Sequence, residues 1–308
     1  MARKRRGDPV HGWIIIDKPS GLSSNAVVGR VRRIMNAQKV GHAGTLDPLA
    51  TGVLPMALGE ATKTVSYLMD SKKSYRFTLR WGEKRSTDDC EGAVTQTSDA
   101  RPTEEQIIAA LPGFIGDIDQ VPPAYSAIKI DGKRAYELAR ADKDPQMTSR
   151  IIHIAEFRLL GIIDSERAEF EVVSGKGAYM RALARDLAIR LGTLGHIETL
   201  RRTAVGPFHE KQAISLDKLE VLGHSAPPSE HLLPVETVLD DIPALALTET
   251  EARKLSQGQA IPVLPVANRS PLKNISQGDV VCAMAEGKLV ALAKIKGGEI
   301  RPFRVMNF

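Results

Sequence analysis

The chain has 308 residues, of which 43% are hydrophobic and 26% charged, so a disordered or fibrous protein is excluded and two globular domains are expected. The excess of 42 Lys and Arg over 37 Asp and Glu gives a net charge of +5, which permits a polyanionic partner without demanding one. No stretch approaches the roughly 20 apolar residues of a membrane span. Cys90 and Cys282 are far apart and neither has metal-ligand spacing, so we expect no zinc site and a reducing, cytoplasmic compartment.

The N-terminal segment predicts a basic tail, a strand and a helix. Residues 1–10 are basic and expected to be disordered, and the apolar run Trp13–Ile16 is too short for the core of a signal peptide. That run predicts a strand that ends in the turn residues 17–21. Ser23 or Ser24 then caps a helix whose apolar stripe is formed by Val27, Val31, Ile34 and Met35.

The next segment changes character twice. Glycines and prolines in Gly41–Gly59 predict an irregular loop, with Asp47 directly before Pro48. A helical spacing follows at residues 61–69. Apolar residues then alternate from Tyr75 to Trp81, which predicts a strand with a basic opposite edge.

The middle of the chain predicts further helices and strands. Thr103 and Gln106 form a capping-box pattern, and residues 121–150 form a basic, mobile excursion rich in turn signals. Strands are predicted at 151–160 and 168–173. A helix over residues 180–191 ends at Gly192, with Arg181 and Arg185 expected to be exposed together.

The C-terminal part predicts a small β-rich domain. Residues 226–230 read as a linker, and Thr248 caps a helix that reaches Gln257. Strands at 280–285, 289–295 and 300–306 are separated by turns and predict a meander.

Asp47 is the first candidate for chemistry. Taken alone, an Asp before a Pro is common in turns, and that reading is favoured. His42, the glycines of the same loop and the basic helices elsewhere place this carboxylate in an electropositive setting, where an ionised nucleophile or base could act.

The string GHAGTLDPLATGVL (residues 41–54) closely resembles the catalytic motif of TruB-type pseudouridine synthases. Further strings resemble the family in the same order: DKPSGLSSN (17–25), GEATK (59–63), VPPAYSAIKIDGKRAYELAR (121–140), GKGAYMRAL (175–183) and TLRRTAVGPF (199–208). The resemblance covers residues 12–208. Two departures are present: Arg85, Ser86 and Thr87 stand where TDT is usual, which puts one polar contact in doubt, and Ala178 stands where Thr is common.

The resemblance implies an α+β pseudouridine synthase fold with a mixed, largely antiparallel central sheet. It assigns residues 11–243 to the catalytic domain and 121–150 to an RNA-clasping insertion. Residues 244–308 are similar in position and size to the PUA-like RNA-binding domain of many family members, and the alternative is a small β module that only stabilises the end of the chain. The implied reaction is isomerisation of uridine 55 in the T-arm loop of tRNA after base flipping, with no metal or organic cofactor. Whether the carboxylate attacks C1′, attacks C6 or starts a glycal route stays open.

The resemblance also implies site roles. Asp47 is the catalytic carboxylate and Arg181 its partner. Tyr75 stacks on the flipped uracil, and His42 fills the gap left in the RNA stack. Tyr179 and Leu200, which otherwise read as core residues, line the uracil pocket. Candidates for phosphate contact are Lys18, Lys176, Arg201 and Arg202.

Three alternatives to a tRNA isomerase agree with part of the sequence. A non-catalytic RNA-folding module needs no carboxylate such as Asp47. A phosphate loop at Gly175–Gly177 lacks the full GxxxxGK[ST] pattern. A guide-RNA-dependent relative shares the core, but the chain has no long flanking extensions, so we expect a monomer that acts without guide RNA.

Overall fold

The computed structural model describes residues 7–130, 132–141, 143–225, 231–270 and 276–308. The first six residues of the predicted disordered tail and the predicted linker at 226–230 lie outside the described residues.

Strands dominate the described chain. They are β1 (Gly12–Lys18), β2 (Val40–His42), β3 (Thr51–Leu58), β4 (Lys73–Trp81), β5 (Glu83–Arg85), β6 (Val94–Thr97), β7 (Gly116–Gln120), β8 (Lys129–Ile130), β9 (Lys133–Arg134), β10 (Arg150–Asp164), β11 (Arg167–Ser174), β12 (Gly195–Val205), β13 (Phe208–His209), β14 (Ile214–Ser215), β15 (Ala244–Ala246), β16 (Ile261–Pro262), β17 (Val280–Ala285), β18 (Lys288–Lys296) and β19 (Glu299–Val305).

Helices are shorter and surround these strands. They are α1 (Ser24–Ile34), α2 (Val65–Asp70), α3 (Glu104–Ala110), α4 (Ala135–Arg140), α5 (Met180–Arg190), α6 (Leu216–Ser225), α7 (Glu249–Ser256) and α8 (Val263–Ala267), with 3₁₀ helices at Gly59–Lys63, Leu111–Phe114, Glu210–Gln212 and Val235–Val238.

A ten-stranded sheet forms the centre of the fold. Its main path runs β14-β1-β3-β12-β4-β11-β10-β7, with β2 beside β3 and β13 beside β12. The pairs β1/β14 and β3/β12 are parallel and the other pairs are antiparallel. The predicted α+β class with a mixed, largely antiparallel sheet is confirmed.

A second sheet of five strands, in the order β15-β17-β18-β19-β16, begins at Ala244. Its three longest strands, β17 to β19, are the predicted meander. Leu245, Leu255 and Ile300 belong to its own buried core, under α7. The meander was predictable from the sequence because short alternating runs separated by Gly-containing turns are typical of antiparallel strands joined by hairpins.

Two apolar cores lie on opposite faces of the central sheet. One contains Ile14, Phe77 and Leu183 and is covered by α1, α3 and α5. The other contains Trp13 and Ile15 of β1 together with Leu292 and Met306 of the C-terminal part. Alternation along β1 sends successive side chains to the two faces, so this one strand supplies both cores.

The N-terminal helix, the capping box at Thr103 and the cap at Thr248 were predicted correctly. Ser23 caps α1, and Thr103 and Thr248 cap α3 and α7 through reciprocal bonds with the residue three positions later. Residues 7–10, predicted as part of the disordered tail, instead bond to the end of α1 through Asp8, whose amide donates to the Asn36 carbonyl. In the described residues, no helix combines the length and apolarity that a bilayer crossing requires.

The prediction of an irregular loop throughout 41–59 was wrong for its second half. Thr51–Leu58 forms β3, a buried strand between β1 and β12. The Pro55 carbonyl accepts a bond from the Ala43 amide, and Gly52 is accommodated at φ +97°. Only residues 43–50 form the irregular loop, which we call the Asp47 loop.

Candidate active site

The Asp47 loop joins β2 to β3 at the centre of the large sheet. The Ser24 hydroxyl, at the start of α1, donates to the Leu46 carbonyl at 3.0 Å and accepts from the Leu46 amide at 2.9 Å. The Ala50 amide donates to the Asp47 carbonyl, and the Gly21 amide donates to the Pro48 carbonyl. The backbone on both sides of Asp47 is therefore fixed, and its carboxylate side chain is 32% exposed.

Arg181, in the first turn of α5, is the cation that holds Asp47. Its Nε donates to Asp47 Oδ2 at 2.9 Å, and its Nη1 and Nη2 donate to the carbonyls of Thr87 and Tyr125 at 2.8 and 2.9 Å. Asp89 Oδ2 lies 3.5 Å from Nη1. The expected exposure of Arg181 was wrong: the side chain is 3% exposed, because two carboxylates and two carbonyls satisfy the guanidinium in the interior.

Lys18 does not lie where a phosphate contact requires. Its side chain is fully buried, and Nζ donates to the carbonyls of Pro19 and Pro48 at 2.8 and 3.0 Å. Burial lowers the pKa of the Lys18 ammonium to about 8, although the nearby Asp47 charge opposes this shift. The prediction of phosphate contact is corrected: Lys18 braces the backbone next to Asp47.

Arg202 is corrected in the same way. Its side chain is 1% exposed, with Nε donating to the Val53 carbonyl at 2.8 Å and Nη2 donating to the Gly44 carbonyl at 3.1 Å. A longer contact of 3.4 Å joins Nη1 to the Thr45 carbonyl. Since these donors are used inside the protein, Arg202 fixes the first half of the Asp47 loop and not an RNA phosphate.

A cleft of about 570 Å³ opens above Asp47. Three residues that the sequence proposed for the uracil pocket line this cleft: Tyr75 from β4, Tyr179 at the start of α5 and Leu200 from β12. The structure thus brings these side chains, separated by up to 125 positions along the chain, to one place beside Asp47. A volume in the range of about 300–1,000 Å³ suits a small organic group.

Tyr179 is the most constrained of these aromatics. Two hydrogen bonds fix its backbone: the Tyr179 amide donates to Gln120 Oε1 at 2.8 Å, and Gln120 Nε2 donates to the Tyr179 carbonyl at 3.1 Å. The Arg150 guanidinium lies 5.8 Å from the ring centre. Burial raises the pKa of the Tyr179 hydroxyl, so it stays neutral and able to donate at physiological pH.

His42 ends β2, just before the Asp47 loop. Its ring is partly buried, and Nδ1 is buried without a hydrogen-bond partner among the described residues. Burial, helped by the charge of Arg202, lowers the pKa of the imidazole, which favours the neutral form. His42 lies outside the group of side chains that line the cleft.

Lys176 and Arg201 remain accessible. Lys176 Nζ lies 2.9 Å from Asp70 at the cleft edge, and its side chain is 71% exposed. Arg201 bridges Asp17 and Glu210 at 2.9 and 2.8 Å and is 34% exposed. Contact of these two exposed cations with RNA phosphates stays a prediction.

Two further basic residues line the cleft: Lys73 was missed from the sequence, and Arg150 was predicted only as part of the basic excursion 121–150. Lys73 lines the cleft and donates to the Ser71 carbonyl at 2.6 Å, and burial lowers the pKa of its ammonium to about 8. Arg150 lies opposite, against Tyr179. Lys73 and Arg150 are the first residues of β4 and β10. A basic residue directly before an alternating apolar run was the pattern from which both could have been predicted.

The departure at residues 85–89 leaves the contacts to Arg181 in place. The Thr87 carbonyl accepts from Arg181, and the Thr87 hydroxyl donates to Asp89. Ala178, the second departure, lines the cleft beside Tyr179. Neither change removes a partner of Asp47.

Residues 32–180 match the model described as "TruB family pseudouridylate synthase (N terminal domain)", and residues 181–240 match "tRNA pseudouridylate synthase B C-terminal domain". Proteins named tRNA pseudouridine synthase B are similar over the full chain: that of Rhodospirillum rubrum is 58% identical and covers 100% of both chains, and that of Caulobacter vibrioides is 53% identical, covering 100% of this chain and 99% of its own.

Solved structures agree on the fold. A chain in the crystal structure of a Cbf5-Nop10-Gar1 complex is 27% identical, with a TM-score of 0.72, and the match covers 97% of this chain and 84% of that one. A chain in the structure of an H/ACA RNP bound to a substrate RNA containing 2′-deoxyuridine is 24% identical with the same TM-score, covering 100% and 92%.

Proposed function

The chain belongs to the TruB family of pseudouridylate synthases, and from that membership we propose that it isomerises uridine 55 in the T-arm loop of tRNA to pseudouridine, with Asp47 as the catalytic carboxylate. The single observation that supports this role best is the position of Asp47: a half-buried carboxylate held by a buried arginine at the floor of a cleft with two tyrosines.

The reaction is an internal rearrangement. The N1–C1′ bond of uridine breaks, the uracil turns, C5 bonds to C1′, and the hydrogen of C5 leaves as a proton while N1 gains one. Asp47 acts on C1′, on C6, or on a ribose proton in a glycal route. In each case the carboxylate must be held in a fixed orientation, and the 2.9 Å hydrogen bond from Arg181 Nε to Asp47 Oδ2 provides it.

The cleft fits a base that has left its stack. Extruding a base costs a few kcal/mol, which contacts around it must offset. We assign stacking on the uracil to Tyr75 and lining of the pocket to Tyr179 and Leu200. We assign to His42 the filling of the gap in the RNA stack, for which its neutral imidazole is suited.

We assign binding of the RNA phosphates to the accessible cations Lys176 and Arg201. Lys73 and Arg150 provide positive potential inside the cleft. The insertion at 121–150 adds exposed basic residues, including Lys129 and Lys133. We assign tRNA clasping to this insertion and RNA binding to the PUA-like domain at 244–308, with 11–243 as the catalytic domain.

We also infer that the protein acts as a cytoplasmic monomer without guide RNA. Asp47, Tyr75, Tyr179 and Leu200 all belong to one chain and line one cleft. Light scattering of the protein mixed with tRNA transcript checks this: a single chain per tRNA is expected, and a dimer on the tRNA contradicts it.

The test compares wild type, Asp47→Asn and Asp70→Asn on unmodified tRNA transcript labelled with tritium at C5 of uridine, with no guide RNA present. Asp70 is the matched control, because its carboxylate lines the same cleft and is paired to Lys176. We expect Asp47→Asn to bind tRNA and release no tritium, and Asp70→Asn to keep its activity within a few-fold.

Two outcomes would overturn the proposal. Wild-type protein that binds tRNA and forms no pseudouridine points to a non-catalytic RNA-folding role. Full activity of Asp47→Asn moves the catalytic function to another residue. Mapping of the modified base by carbodiimide primer extension checks the assignment to position 55.

A further inference from the structure

Helix α5 presents two arginines one turn apart, and both connect the same two segments of the chain. Arg181 donates to the Thr87 carbonyl and to the Tyr125 carbonyl. Arg185 donates to Asp88 Oδ2 at 2.9 Å and to the Val121 carbonyl at 2.7 Å. The segments joined are the loop 85–92 and the stem of the insertion, 121–125.

Asp88 is built into this arrangement at a conformational cost. It has φ +59°, a region that L residues other than Asn and Asp rarely adopt. Its carbonyl accepts from the Ile197 amide at 3.1 Å, and its side chain is 10% exposed, facing Arg185 at 17%. A buried carboxylate is stable only with such a partner, so Asp88 and Arg185 depend on each other.

The pair is adjacent to the partners of Arg181. Thr87 directly precedes Asp88, and Asp89, which lies 3.5 Å from Arg181, directly follows it. On the other side, Val121 is one short turn from Tyr125. Movement of Asp88 or Val121 therefore shifts the acceptors that set the angle of the Arg181 guanidinium, and with it the orientation of the Asp47 carboxylate.

We propose that Asp88 and Arg185 are positioning residues for the isomerisation: their ion pair fixes the loop 85–92 and the insertion stem against α5, so that Arg181 holds Asp47 in its reactive orientation. This inference rests on the function proposed above. It assigns a use to Arg185, which the sequence predicted to be exposed but whose side chain is only 17% exposed. It also assigns a use to Asp88, which directly follows the departure from the family pattern at residues 85–87.

Asp88→Asn, Arg185→Gln and their double variant test the pair. Asn keeps the shape of the side chain and tolerates positive φ, so the first change removes charge with little strain. We expect the single-turnover rate on saturating tRNA to fall about tenfold to a hundredfold, since small misplacement of a reacting group has that effect. The Kd for tRNA should change less than about threefold, and the double variant should be no slower than the worse single variant.

Arg185→Lys and Asp164→Asn complete the set. Lys keeps the charge opposite Asp88 but cannot reach both acceptors as a guanidinium does, so an intermediate rate is expected. Asp164 pairs with Arg167 at 2.6 Å, but both side chains are about 40% exposed and lie at a distant hairpin, so its replacement should leave the rate within twofold.

Hydrogen exchange provides a readout that does not require activity. In Asp88→Asn, amides of 43–50 and 85–92 should exchange faster than in wild type, with those of β17 to β19 unchanged. Unchanged rates and exchange in an active protein overturn the positioning role, as do rate losses that are additive in the double variant. Absence of pseudouridine with wild type overturns the proposed function instead, and exchange still decides whether the pair holds the loop.

Discussion

Replacing Gly52 by Ala tests how closely the strand after the Asp47 loop approaches its neighbour. Gly52 has φ +97°, and a Cβ there would lie 2.2 Å from the Arg202 carbonyl oxygen and 3.1 Å from Arg201 Cγ. The first contact is with backbone, so β3 and β12 must separate. Strain at positive φ costs about 1–2 kcal/mol, and overpacking costs about 1–3 kcal/mol more. We expect the free energy of unfolding to fall by about 2–5 kcal/mol.

Gly29→Ala is the matched control. Gly29 lies on the exposed side of α1 with no atom within 4 Å of an added Cβ, so the same substitution should stabilise the helix by about 0.5–1 kcal/mol. Urea unfolding followed by circular dichroism measures both variants. Separation of the strands also moves Arg202 away from the Gly44 carbonyl, so pseudouridine formation by folded Gly52→Ala should fall. A stability within about 1 kcal/mol of wild type would refute the close approach.

Three further changes probe the site. Arg181→Lys leaves at least one of the Asp47, Thr87 and Tyr125 acceptors without a donor, so we expect kcat to fall at least about a hundredfold with little change in tRNA Kd; equal kcat contradicts the pairing. Lys18→Met should remove a pH dependence of the free energy of unfolding. The pKa of Lys18 is about 8 when folded and 10.5 when unfolded, so the unfolded state binds more protons between these values, and wild-type stability should rise relative to the variant by about 1–2 kcal/mol from pH 7.5 to 9.5; parallel urea curves would exclude this. Ile151→Asp places a negative charge on a 74% exposed cleft residue and should raise the tRNA Kd at low salt while leaving stability within about 0.5 kcal/mol; an unchanged Kd would exclude contact with RNA at this wall.

Elements with a local signal were predictable from the sequence. The alternation around Phe77 and Leu79 gave a strand of the central sheet, and the cap at Thr248 gave the start of α7. These patterns work because one face of the strand or helix is buried and the other is not. The motif around Asp47 likewise identified the cleft, since its members lie close together once the sheet forms.

Features that depend on burial from several sides were not predictable. Gly52 and Pro55 signal a loop, yet β1 and β12 cover that segment and make it a strand. The sequence shows that Lys18, Arg181 and Arg202 are charged, but their acceptors are mostly backbone carbonyls of distant residues. A carbonyl is present at every position, so no side-chain pattern marks which ones will receive a buried cation.

The core shared by the two sheets has a consequence for synthesis of the chain. Trp13 and Ile15 leave the ribosome long before Leu292 and Met306, which belong to the same core. Until then the apolar side of β1 lacks its final partners, and contacts across such a separation form slowly. Nascent chains therefore lack part of the cover of this core during translation, and a stop codon that removes β19 and Met306 leaves part of its apolar surface exposed.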